Sequence, residues 1–252
     1  DRNKIKKIIG LKFKKISRRS KYLLFFFNKD VVMLVHLGMT GKFFFVNHKR
    51  TKYKTSFYYS INKNKDNKHD RIIFNLSNNQ KLIYNDVRKF GFIKFIRRAS
   101  VDQNPHLKLL GPEPLSTRFN EEYFINVMRG KKTNIKSALL DQRLVAGLGN
   151  IYACEALFRA GISPKRQAFS ISHKRLGFLV PIIKEVLTEA ISSGGSSLRD
   201  FRNSAGGLGY FQHRFEVYGR ENQNCYNTQC TRKIKRIIQA GRSSFYCSNC
   251  QR

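Results

Sequence analysis

Acidic residues are scarce in this chain. Only 16 Asp+Glu face 49 Lys+Arg, a formal charge of +33 over 252 residues. Such a field attracts polyanions, with nucleic acid the default partner. A genome biased towards Lys, Asn, Ile and Phe would yield the same excess without selection for binding, so the charge serves as supporting evidence only. A membrane-surface role fits less well, because the basic residues are spread over the whole chain rather than along one amphipathic helix. Long apolar runs are also missing, and none would span a bilayer as a helix. Asp1 to Lys7 are charged and lack an apolar segment, so no cleavable signal peptide is visible and a cytoplasmic protein is expected. No internal repeat is present. What remains is a globular composition, 41% apolar, long enough for one large domain or two ordinary ones.

Cysteines are few. Four of the five lie in the last 28 residues, and Cys154 stands alone. The spacing is Cys225-x4-Cys230, sixteen residues, then Cys247-x2-Cys250. Each close pair can bite one metal from a tight turn, and the residues between form a hairpin that joins the pairs. Four thiolates favour tetrahedral, closed and therefore structural zinc. Arg232, Lys233, Lys235, Arg236 and Arg242 ease the gathering of thiolates. Disulfides and an iron–sulfur cluster are the competing readings. Gln239-Ala240-Gly241-Arg242 reads as the hairpin tip, where Arg242 suits phosphate contact or is simply a solvated turn residue.

Residues 11 to 97 read as short strands: around Leu11–Phe13, Tyr22–Phe27, Val31–Val35, Phe43–Val46, Ile72–Leu76, Leu82–Tyr84 and Phe92–Ile96. They are β-branched or aromatic and bounded by Asn, Asp, Gly and Lys turns. An antiparallel sandwich is predicted, with an exposed loop over Asn62 to Asp70. Gly111-Pro112-Glu113-Pro114 breaks the pattern and opens a linker. Helices follow, starting at Asn120, Asn134, Asn150 and about Ser172; the first ends at Gly130 and the last, containing Pro181, at Gly194-Gly195. Pro181 kinks that helix or marks a later start. Gly206-Gly207-Leu208-Gly209 reads as a mobile loop, and residues 214 to 252 as a strand followed by the metal-bound hairpin. The predicted division is 1–111 sandwich, 112–119 linker, 120–212 helical domain and 213–252 zinc finger. Gly147-Leu148-Gly149-Asn150 precedes a helix, where free N–H groups and the dipole can bind phosphate, and Asn150 can cap the helix and also donate from its amide. Most such turns are only turns.

Taken together, these segments resemble the formamidopyrimidine-DNA glycosylase family. The resemblance runs from about Ile16 to Arg252. It rests on Arg18-Arg19-Ser20-Lys21-Tyr22-Leu23-Leu24, His36-Leu37-Gly38-Met39-Thr40-Gly41, Lys68-His69-Asp70, Asp86-Val87-Arg88-Lys89-Phe90-Gly91, Leu110 to Leu115, Gly147 to Glu155, Gly209-Tyr210-Phe211, Val217-Tyr218-Gly219-Arg220 and the cysteine hairpin. It implies an α+β protein: a β-sandwich, a helix–two-turn–helix domain and a C-terminal zinc finger, monomeric, with duplex DNA between the domains. The implied activity is excision of oxidised purines, such as 8-oxoguanine and formamidopyrimidines, and β,δ-elimination at the abasic site.

By the same resemblance, Met39, Arg88 and Phe90 fill the gap left by an extruded base. Apolar wedges replace lost stacking, and arginine meets the orphaned base. The competing reading of Met39 and Phe90 is core packing. Asn150, Lys131, His69 and Arg242 match DNA contacts, and Lys136 a position near the damaged nucleotide. Arg242 also matches the arginine of the second elimination, and Lys21 the acid of the first. Beside Arg18 and Arg19, Lys21 is expected to have a depressed pKa, or is simply a strand-edge charge. Glu155 organises a catalytic loop or caps its own helix. The endonuclease VIII branch is the near competitor; Asp-x-Arg-x-Phe-Gly and His-Leu-Gly-Met-Thr-Gly favour the purine-directed one.

One departure stands out. The family nucleophile is an N-terminal proline followed by glutamate, and this chain begins Asp1-Arg2-Asn3-Lys4. None of Pro105, Pro112, Pro114, Pro164 and Pro181 can substitute. The expectation is a fragment of a normal enzyme. The alternatives are a non-catalytic damaged-DNA-binding protein, or residual abasic-site cleavage through a Schiff base on Lys21.

Overall fold

A computed structural model describes residues 5–6, 8–46, 67–196 and 210–252. It contains two compact units, Asp1–Asn104 with Ser193–Gln212, and Pro105–Ser192 with His213–Arg252.

Among the described residues the first unit holds seven strands. Strands β1 (Phe13–Arg19), β2 (Tyr22–Phe27), β3 (Val32–His36) and β7 (Phe92–Ile96) form one antiparallel sheet in the order β1-β2-β3-β7. Strands β4 (Lys42–Val46), β5 (Asp70–Asn75) and β6 (Lys81–Asn85) form a second, ordered β4-β6-β5. In the first sheet Leu23 pairs with Val35 and Phe25 with Met33. These residues and Phe27 pack with Phe43, Phe74 and Tyr84 of the second sheet, so the core lies between the two. Phe25 meets Phe43 at 5.4 Å between ring centroids, and Phe43 meets Tyr84 at 5.2 Å. Each such buried aromatic contributes about 2–3 kcal/mol. The sandwich and six of the predicted strands are present; the first strand lies over Phe13–Arg19 rather than around Leu11–Phe13. Asp70, placed in a loop by sequence, instead begins β5, where its carboxylate accepts a 2.7 Å hydrogen bond from Asn85. Asn62 to Asp66 and Gly206 to Gly209 lie outside the described residues.

The second unit holds helices α1 (Glu121–Met128), α2 (Ile135–Leu140), α3 (Asn150–Arg159) and α4 (His173–Ser192), then the hairpin β8 (Ile234–Gln239) and β9 (Arg242–Cys247). Asn120 caps α1 by accepting from the Tyr123 N–H at 2.8 Å, and Asn134 caps α2 through Ser137 at 2.8 Å. Glu121 and Glu122 add favourable charge to the first turn of α1. Gly130 ends it with φ +70°. Helix α4 runs unbroken through Pro181, burying Leu176, Leu179, Val180, Ile183 and Val186. It lies close to α1: a Cβ on Gly177 would sit 2.8 Å from a Glu121 carboxylate oxygen.

Two expectations need correction here. Asn150 is not a cap. Gly149, with extended backbone, takes the N-cap position of α3 and leaves the Asn150 amide for a tertiary partner. The strand predicted from residue 214 is also absent: residues 211–214 form a short 3-10 turn, and the first strand of this region begins at Ile234. Arg220 explains the difference. Its guanidinium donates to the carbonyls of Glu216 at 2.9 Å and Asn224 at 3.2 Å, folding the chain back on itself. The hairpin tip is as expected, with Ala240 (φ +46°) and Gly241 (φ +70°) making a two-residue turn of the type favoured between twisted strands. Among the described residues no helix is long and apolar enough to cross a membrane.

Candidate functional site

Two loops of the first unit meet around one buried carboxylate. Asp86 is 1% exposed in a chain with few acids. It accepts hydrogen bonds from the Thr40 hydroxyl at 2.5 Å, the Gly91 N–H at 2.9 Å and the Tyr84 hydroxyl at 3.3 Å. Its own N–H donates to the His69 carbonyl, and its carbonyl accepts from Arg71 Nε at 2.9 Å. The Thr40 oxygen in turn accepts from the Arg88 N–H at 3.0 Å. Burial works against the charged form, but these donors prevail and hold the carboxyl below its ordinary range. Burial and the same carboxylate push Tyr84 upward, which keeps it a donor.

The result is an exposed ridge. Met39 is 62% and Phe90 57% exposed, although both are large and apolar. The Arg88 guanidinium lies over the Phe90 ring, 4.7 Å from its centroid. The core-packing reading of Met39 and Phe90 is thereby excluded. The two loops touch at Gly38, which has φ +65°; a Cβ there would come within 2.6 Å of the Phe90 carbonyl carbon. Lys21 lies exposed in the two-residue turn joining β1 to β2, after Ser20, whose carbonyl accepts from Arg18 at 2.8 Å. Next to it, Tyr22 packs on His36, whose Nδ1 accepts from the Gly38 N–H at 3.1 Å.

In the second unit, α2 and α3 converge on the hairpin. Lys136 Nζ and Asn150 Nδ2 both donate to the Ser243 carbonyl, at 3.0 and 2.9 Å. Asn150 Oδ1 is buried with no partner. Burial, reinforced by the neighbouring Arg242 charge, pushes the Lys136 ammonium below its usual range; Cys154 opposes this. Glu155 is fully buried and accepts from the backbone N–H groups of Glu216, Val217 and Tyr218 at 2.8, 3.2 and 2.8 Å. Burial raises its pKa and those three donors oppose the rise. It therefore organises residues 216–218 rather than capping α3. Arg159 clamps the same segment, 2.7 Å from Glu216 and bidentate at 2.9 Å to Glu189 of α4. Arg242 is exposed at the start of β9, and Lys131 is half-buried in the turn after α1.

The four C-terminal cysteines converge, every Sγ lying within 4.8 Å of the others. Cys225 and Cys250 are 3.7 Å apart, and Cys230 and Cys247 3.6 Å. Disulfide bonding is excluded at these distances. A tetrahedral ion with metal–sulfur bonds of about 2.3 Å requires sulfur separations of about 3.8 Å, so the donor set fits such an ion. The Arg232 N–H, the first of several hydrogen bonds to Cys230, lowers that thiol's pKa.

The family description "Formamidopyrimidine-DNA glycosylase N-terminal domain" matches residues 2–93, and "Formamidopyrimidine-DNA glycosylase H2TH domain" matches residues 110–202. A formamidopyrimidine-DNA glycosylase of Roseobacter denitrificans is 48% identical over 98% of this chain and 85% of its own. One from Ruegeria pomeroyi is 45% identical at the same coverage. The chain belongs to the formamidopyrimidine-DNA glycosylase family. The solved structures agree. A Lactococcus lactis Fpg variant in complex with Fapy-dG-containing DNA superposes with TM-score 0.84 at 34% identity, covering 99% of this chain and 86% of that one. MutM (Fpg) of Thermus thermophilus gives 0.81 at 38%, covering 96% and 84%.

Within this family member, the residues singled out by sequence fall into two sets. Met39, His69, Arg88 and Phe90 gather around Asp86 in the first unit, with Lys21 on a hairpin turn of the same unit. Lys136 and Asn150 gather at Ser243, beside Arg242, in the second, with Lys131 in a separate turn. Sequence reasoning gave no role to Asp86, Thr40 or Ser243. Asp86 offered a signal, as the acid opening a basic glycosylase motif; Ser243 offered none, since Lys136 and Asn150 reach its backbone carbonyl, which any residue would supply.

Proposed function

We propose that this chain is a DNA glycosylase of base-excision repair that removes oxidised purines from duplex DNA and cleaves the strand at the resulting abasic site. The observation that carries this is the Met39–Arg88–Phe90 ridge, two exposed apolar side chains and a cation held up by the buried Asp86. Exposed apolar side chains grouped beside a cation mark a surface suited to a partner. The names of the relatives point the same way, as do Lactococcus lactis Fpg structures holding Fapy-dG or abasic-site DNA.

In this reading Met39 and Phe90 enter the base stack as the damaged nucleotide turns out, and Arg88 meets the orphaned base. Extrusion costs a few kcal/mol, which the ridge offsets by replacing lost stacking. His69, Lys131, Asn150 and Arg242 hold DNA phosphates, and Lys136 stands near the damaged nucleotide. An amine attacks C1′ of the sugar; the N–C1′ bond forms as the bond to the base breaks, and the base leaves with a proton. The C1′–O4′ bond then opens, with O4′ taking a proton, and the resulting iminium acidifies the 2′ hydrogen, so the 3′ phosphate leaves first and the 5′ phosphate second. Lys21 supplies the proton at the first elimination and Arg242 assists the second. Cys225, Cys230, Cys247 and Cys250 hold one structural zinc ion that fixes the hairpin carrying Arg242.

The test is borohydride trapping on a duplex carrying 8-oxoguanine. It is run with the 252-residue chain and with a chain extended by a family-type upstream segment that begins Pro-Glu. A covalent adduct with the extended protein is expected; its absence would sink the glycosylase reading.

A further inference from the structure

Lys136 is 0% exposed, an unusual state for a lysine in a protein with so much basic surface. Burying an ammonium costs several kcal/mol unless its hydrogen bonds are satisfied. Its Nζ donates at 3.0 Å to the carbonyl of Ser243, which also accepts from Asn150 at 2.9 Å. Ser243 directly follows Arg242, and Arg242 pairs with Gln239 to close the hairpin turn. The carbonyl that α2 and α3 grip is therefore one residue from the exposed guanidinium at the tip. Lys136 itself presents no surface to DNA.

We propose that Lys136 is a positioning residue for Arg242: its ammonium pins the Ser243 carbonyl and so fixes the strand start from which the Arg242 side chain reaches the phosphate. This rests on the reading that Arg242 contacts DNA. Lys136 acts on DNA only through Arg242. The Ser243 side chain takes part in the same brace, since its hydroxyl accepts from Arg236 Nε at 3.0 Å across the hairpin. A lysine reaching DNA directly would have to leave Ser243 and open the junction between α2 and β9.

A double-mutant cycle tests this. The wild type, Lys136→Met, Arg242→Ala and the double variant are titrated with a duplex containing a tetrahydrofuran abasic analogue and with an intact duplex, across a salt series. Lys136→Met keeps the buried volume, and the Asn150 donor remains to satisfy the Ser243 carbonyl. Lys136→Met alone is expected to weaken binding about tenfold and to flatten the salt dependence by roughly one phosphate contact. In the Arg242→Ala background it has no further effect. A loss undiminished in that background, or no loss from Lys136→Met, overturns the proposal. Should the methionine variant lose its zinc, Lys136→Gln is carried through the same cycle and judged by the same coupling. A wild type without preference for the abasic-analogue duplex counts against the functional reading; the coupling is then still read from the salt slopes on intact duplex.

Discussion

Asp86 gathers three side-chain and backbone donors from both loops of the ridge while remaining buried. Hydrogen bonds to a buried charge contribute about 2 kcal/mol each when removal strands the partner. Asp86→Asn, which turns an acceptor into a donor facing Gly91 or Thr40, is therefore expected to lower stability by about 2–4 kcal/mol, read as a fall in melting temperature. The sign of its pH dependence follows from the depressed pKa. A carboxylate whose folded pKa lies below its unfolded one contributes stability that is present above the unfolded value and lost as pH falls through the folded one. The melting difference between wild type and Asp86→Asn should thus be full near neutrality and shrink below about pH 4. Met39 and Phe90 differ in kind: being exposed, their replacement by alanine should leave the melting temperature nearly unchanged, within about 0.5 kcal/mol.

At the scale of elements, the ridge depends on how closely two loops approach. Gly38 combines φ +65° with a Cβ position that would strike the Phe90 backbone. Gly38→Ala should therefore separate the loops and cost about 2–3 kcal/mol, with a loss of lesion binding larger than the loss of intact-duplex binding. The cysteine cluster holds together a segment that is mostly turns between residue 214 and Ile234. On the proposed zinc assignment, a chelator should unfold that segment, expose the thiols to a thiol reagent and abolish DNA binding, with recovery on adding zinc. Local chemistry made some elements legible. Asn120 and Asn134 cap their helices because the cap bond spans only three residues. For Asn150 only the cap fails: its helix starts there as expected, but its amide donates to the Ser243 carbonyl, 93 residues away. The strand expected from residue 214 failed for the same reason. Phe215 and Val217 look β-forming, but buried Glu155 takes the neighbouring N–H groups that a strand would have used. The ridge residues were legible only through the resemblance, because exposure of Met39 and Phe90 depends on the long-range pairing of Thr40 with Asp86.

For the whole molecule, the +33 charge sets how binding responds to salt. If Lys131 and Arg242 each neutralise one phosphate, affinity should fall with a log–log slope of about −1.8, or roughly 12-fold between 50 and 200 mM salt. A much steeper slope would mean that the general basic surface, rather than these residues, grips the duplex. The central claim is that the Asp86-held ridge reads damage by replacing an extruded base. It is tested most directly by competing an abasic-analogue duplex against an intact one for the wild type and for Met39→Ala/Phe90→Ala. The account predicts that the wild type prefers the abasic-analogue duplex and that the double variant, equally stable, loses the preference while retaining affinity for intact DNA. A double variant with the preference unchanged would contradict it.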